Sequence, residues 1–140
     1  MADITVTSAQ VSLLDPMKAE VNSYVAAEAI TKGQAVAFDT NGKVRVADAN
    51  GTYKQFRGIA LQSAAAGAVL EVVHDGRVAG FTLSGMNGDA IIYLSNTAGK
   101  LATAAGSTTV IAGRVVVKTD GPTNTKVAKI ATRWNAADWS

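Results

Sequence analysis

The chain says nearly the same thing twice. Residues 33–49 read GQAVAFDTNGKVRVADA, and residues 88–104 read GDAIIYLSNTAGKLATA. Each copy opens with Gly, a polar residue and Ala, then runs through a short apolar stretch ending near an aromatic, Phe38 or Tyr93. A turn with Asn and Gly-Lys follows, and a second apolar run returns. Gly33 and Gly88 stand 55 residues apart, Gly42 and Gly99 57, and Gly58 and Gly113 again 55. The second copy therefore carries two extra residues, Thr97 and Ala98, in its turn. The duplication predicts two similar hairpin-plus-strand units, over residues 33–61 and 88–115.

The segments around the repeat point the same way. Asn41-Gly42 is a strong short-range hairpin signal and predicts a type I′ turn with both residues at positive φ. Gly58 to Leu61 reads as a short strand, and residues 68–83 as a hairpin turning at Asp75-Gly76. Val110 to Lys118 and Lys126 to Arg133 read as the last two strands, joined by the loop TDGPTNT. Residues 16–29 carry two signals. Asp15-Pro16 is a helix start, whereas Val21, Ser23, Val25 and Ala27 alternate at period two. The alternation favours a strand over about 20–26. Strands of four to eight residues with a turn every 8–12 predict a mainly β chain, a small sandwich or barrel-like domain. Residues 1–18 stand apart as an extended N-terminal arm, and residues 19–140 form the single β-rich domain.

Composition supports this reading and narrows the function. Aromatics make up 6% and charged residues 17%, with 13 glycines, a profile of tight turns and small side chains. A charge content so low also suits a surface that is partly covered by other protein. The absence of cysteine excludes disulfides and thiolate metal sites and fits folding in a reducing cytosol. The 13 basic and 11 acidic residues are dispersed, which leaves no electrostatic footprint for nucleic acid. The N-terminus lacks the pattern of a signal peptide, and no apolar run approaches the length of a membrane-spanning helix.

Groups for catalysis are scarce. His74 is the one histidine, and in VVHDG it reads as a solvated residue at a hairpin tip. A histidine metal site fails on ligand number. The carboxylates Asp39, Asp75, Asp89 and Asp120 lie at turn signals, where Asp serves the backbone first. Gly42-Lys43 and Gly99-Lys100 lack the Ser/Thr and the upstream glycine of a phosphate loop. The reading is a non-enzyme with no metal and no cofactor.

The stretch AEAITKGQAVAFDTNGKVRVADA…RGIALQSAAAGAVLEVVHDGRV resembles a family of small capsid cement proteins of tailed phages. Ile30, Gly33, Val36, Gly58, Ala60, Ala66, Gly67, Val69, Val72 and Gly76 fall on the family's pattern. Gly88, Tyr93, Gly99, Leu101 and Gly113 fit its C-terminal half. The resemblance covers about residues 19–115. It implies a head decoration protein in the virion, bound to the major capsid protein on the outer surface of the mature head. There it would clamp neighbouring capsomers, commonly as a homotrimer, with a dimer as the alternative. Other virion parts, such as a tail or head fibre, or a host-surface glycan-binding module, share the β-rich composition.

Contact residues are then expected at the two ends. Ile4, Val6, Val11, Leu13 and Leu14 form an apolar arm that either reaches a partner or serves as the first strand of the domain. Trp134 and Trp139, both tryptophans of the chain, sit in the charge-poor tail RWNAADWS as candidate anchors.

Overall fold

The computed structural model describes residues 2–120 and 123–132. It contains ten strands: β1 (Ser12–Leu14), β2 (Glu20–Val25), β3 (Ala35–Phe38), β4 (Val44–Val46), β5 (Gly58–Ala60), β6 (Val69–Ala79), β7 (Ile91–Leu94), β8 (Leu101–Ala102), β9 (Ile111–Asp120) and β10 (Thr123–Ala131). All strand pairs are antiparallel, and the neighbours run β4-β3-β5-β6-β10-β9-β7-β8. That string shows the repeat directly. β4-β3-β5-β6 and β8-β7-β9-β10 are one plan used twice, with the two long strands β6 and β10 joined at the centre.

β6 is the spine. One of its edges takes β2 beside residues 69–75 and β1 beside residues 77–79. The other takes β5 beside Val72 and Val73, then β10 beside residues 75–78. The expected hairpin at Asp75-Gly76 is thereby corrected: the strand passes through without turning. Gly76 is there for close approach, since a Cβ would lie 2.9 Å from Ala19 Cβ and 3.1 Å from Leu13 Cδ1. His74 is corrected with it, from a solvated tip to a fully buried side chain.

Closure follows from one bridge. Just past β2, Ala26 pairs with Val44 in parallel, and the Ala27 N–H donates to the Val44 carbonyl at 2.8 Å. The five strands β2, β6, β5, β3 and β4 thus curl into a small barrel. Its interior holds Ala26, Ile30, Val36, Val44, Ala60, Leu70 and Val72, with Tyr24 and Phe38 packed against them. A larger core lies between this unit and the second half. Ala35, Ala37, Ala47, Ala49 and Ile59 meet Ile92, Leu94, Leu101, Val110, Ala112, Val115 and Ile130 there. β3 has a core on both faces, which is why AVAF shows no apolar–polar alternation. The halves are also sewn together by backbone: Ala35 N–H donates to Gly99 O, Gly99 N–H to Ala47 O, and Ala49 N–H to Ser95 O, at 2.7–2.9 Å.

Two turn expectations need adjusting. Gly42 has φ +76° while Asn41 stays out of the positive region, so the β3–β4 loop is a type I turn closed by a left-handed glycine rather than type I′. The Asp39 side chain decides this, because its Oδ1 accepts from the N–H groups of Asn41 (2.9 Å) and Lys43 (3.0 Å). At the other end of the chain, β9 reaches Asp120 and β10 starts at Thr123, so most of the expected TDGPTNT loop lies in the ladder. Residues 16–29 follow the strand signal: β2 spans 20–25, and the Pro16 start produces a single 3₁₀ turn over Pro16–Lys18.

Desolvation alone would push the Asp39 carboxyl up, but the bonds from Lys43, Asn41 and Arg45 outweigh it and hold the carboxyl below the ordinary aspartate value. A depressed folded value gives stability that is present above the unfolded value and is lost as pH falls through the folded one. Wild type is therefore expected to lose its advantage over Asp39→Asn as pH falls below about 4. Urea midpoints for both proteins between neutral pH and acid check this, and a constant gap would contradict it.

Candidate interaction surfaces

The N-terminal segment is laid on the rest of the fold. The Asp3–Ala102 bridge, Ile4 N–H to Leu101 O (2.8 Å) and Thr103 N–H to Ala2 O (3.0 Å) cover the outer edge of β8. Val6 bridges Phe81, and Thr7 N–H donates to Gly80 O. Ile4 and Val11 are buried in the large core, with Val6 and Leu13 half-buried against it and Leu14 half-buried on β1. Ile4 and Val11 are thus corrected from partner contacts to core residues. Glycines make the docking possible: a Cβ on Gly33 would lie 2.9 Å from Val11 Cγ2, and one on Gly80 2.7 Å from Val11 Cα. Trp134 and Trp139 lie outside the described residues.

The polar groups inside the fold are tied to structure. His74 Nδ1 is 2.6 Å from the Arg57 carbonyl, and its Nε2 is 2.7 Å from the Tyr24 hydroxyl. Buried Ser95 donates to Asp3, which pins the arm, and its Oγ accepts from Thr97 N–H (2.9 Å) to shape the longer turn of the second repeat. Among the described residues no group of three His, Cys, Asp or Glu could hold a metal ion. None of the described helices is long and apolar enough to cross a membrane.

The exposed surface carries three features suited to protein contact. The first is a two-stranded ribbon. β7 pairs with β9 only as far as Arg114, and β6 pairs with β10 only from Ala128, yet β9 and β10 continue together from Val116↔Val127 to Asp120↔Thr123. Val117 on this ribbon is 47% exposed. A ribbon with no third strand among the described residues is marginal in water by itself. The second is the cross-strand pair Val25↔Val69, both exposed, at the start of β6. The third lies where residues 15–18 pass over β6 and β10. There Met17 is fully exposed, above a pocket lined by Asp15, Lys18, Gly76, Arg77 and Lys129. Neither the ribbon nor this pocket was signalled by composition. Both arise from where strands stop pairing.

A profile of phage cement proteins matches residues 8–78, half of the chain. The match runs from the arm through the first barrel and ends one residue before β6 does. No curated protein matches the chain.

Proposed function

The chain belongs to the phage cement protein family, and we propose that it stabilises the phage capsid from the outer surface of the mature head, clamping neighbouring capsomers. The family match carries the reading, and with it a structural role in association with the phage capsid. Our proposal adds the location, the major capsid protein as the direct partner, and a homotrimer as the working unit. The surface supports such a role, because ribbon, exposed valines and pocket offer separate contacts on one small body.

The mechanism needs only binding energy. A cement protein stabilises a shell by binding its mature form more tightly than its precursor, since only differential affinity shifts that equilibrium. An oligomer touching several capsid subunits makes each contact after the first intramolecular, which multiplies affinity by roughly 10²–10⁴. Backbone edges and exposed apolar side chains at several points are the means by which such contacts form.

The test is addition of the purified protein to mature heads that lack it, followed by imaging of the particles. Saturable density on the outside at three-fold positions, with heads that resist heat or chelator longer, is the expected result. Density on the tail or on fibres, or heads whose resistance does not change, would overturn the proposal.

A further inference from the structure

We infer that the loop over residues 15–18, with the cationic notch beneath it, is a docking site for an acidic segment of a partner protein. Taken with the proposed function, on which this choice of partner rests, that segment belongs to the capsid shell. The loop exists because β1 and β2 share one edge of β6 without sharing a register. Leu14 lies opposite Arg77 and Glu20 opposite Asp75, so the intervening residues have no place in the ladder and bulge outward. Asp15 takes the left-handed conformation (φ 49°, ψ 61°), unusual outside glycine, ahead of Pro16, which itself disfavours a helical residue before it. The following 3₁₀ turn holds Met17 wholly in solvent.

Beneath the loop, charge is arranged against the fold's own interest. Lys129 and Arg77 are directly opposite each other on β10 and β6, and like charges in that position destabilise a sheet. Each has one carboxylate: Arg77 Nη1 lies 3.4 Å from Asp15 Oδ2, and Lys129 pairs with Asp75. Both pairs remain open to water, with Arg77 46% and Lys129 36% exposed. Lys18 adds a third cation on the same pocket and makes no ion pair among the described residues. Gly76 puts no side chain between them. The lining of the open notch is thus three cations and one carboxylate, Asp15, next to an exposed thioether. A carboxylate from a partner would sit among Lys18, Arg77 and Lys129 and relieve the like-charge contact, while an apolar neighbour covers Met17. Charge complementarity of this kind governs specificity and association rate more than it adds raw affinity.

Two substitutions on the exposed loop, Lys18→Glu and Met17→Ala, test this without touching the core. The control is Lys43→Glu in the β3–β4 turn, which changes net charge equally. Each protein is added to mature heads lacking it, at low and at physiological salt. Lys18→Glu and Met17→Ala are expected to bind about ten-fold more weakly than wild type. Lys18→Glu should also show a flatter salt dependence, and Lys43→Glu should stay within about two-fold of wild type. Wild-type binding by both loop variants, or equal loss in Lys43→Glu, overturns the docking site and leaves the capsid reading intact. If wild type itself fails to bind heads, the capsid reading falls, and an immobilised peptide alternating Glu and Leu then decides the notch. Retention at low salt that Lys18→Glu abolishes upholds the site, and no retention overturns it.

Discussion

Gly113→Ala is expected to cost about 4 kcal/mol or more, a large share of the stability of a domain this size. Gly113 lies in β9 opposite Ile130 of β10, and a Cβ built there would press into the Lys129 carbonyl, at 2.9 Å from its carbon and closer still to its oxygen. The obstacle is backbone, so no rotamer change relieves it, and the two strands would have to part. They cannot part cheaply. The β9–β10 ladder is the longest in the fold, and β10 is the strand that joins the second half to β6. Gly58 faces the same obstacle in the first repeat, with a Cβ 3.0 Å from the Val73 carbonyl carbon and nearer its oxygen, and φ +151° adds strain. Gly58→Ala should therefore match Gly113→Ala. Gly85→Ala, where a Cβ meets nothing within 4 Å, should change stability by less than about 0.5 kcal/mol. Urea unfolding of the three variants settles the matter: a loss below 1 kcal/mol for Gly113→Ala would mean that the repeat glycines are not close-approach sites.

The two glycines also show what was legible in advance. Their 55-residue spacing announced the repeat, and the alternation and turn residues around them placed β3, β4, β5 and β7 within a residue or two. Signals carried inside one hairpin were readable because the partner strand is adjacent in sequence. Apart from the β3–β4 turn type, which the neighbouring Asp39 side chain decides, the larger errors come from distant partners. Asp75-Gly76 has good turn chemistry, yet β2 holds that stretch of β6 on one edge and β10, more than fifty residues away, on the other. Ile4 and Val11 looked homeless because the places that receive them are made by Leu101, Gly33 and Gly80. The cationic notch was invisible for the same reason. Lys18, Arg77 and Lys129 are scattered in sequence, and only the slip between β1 and β2 brings the first over the other two.

His74 carries the other large effect. It sits on β6 near the point where β5 gives way to β10 on the shared edge: the His74 carbonyl accepts from Thr132 N–H at 3.0 Å, and Arg57 leads into β5. A carbonyl only accepts, so Nδ1 carries the proton and donates to Arg57 O, which leaves Nε2 to accept from the Tyr24 hydroxyl. Burial pushes the Tyr24 hydroxyl above its ordinary value, so it remains a donor through the neutral range. The ring also stands edge-on to Tyr24 and Phe38, with centroids at 5.4 and 6.2 Å. His74→Ala removes a fully buried ring and two hydrogen bonds at once, an expected loss of about 3–5 kcal/mol. Tyr24→Phe removes one of those bonds and keeps the ring, for about 1–2 kcal/mol. Because both act on one bond, the double variant should lose less than the sum, by about 1 kcal/mol. Chemical unfolding of the two single variants and the double variant measures this coupling. Strict additivity would show that Tyr24 and His74 are merely neighbours, and that β2 is held to the spine by its ladder alone.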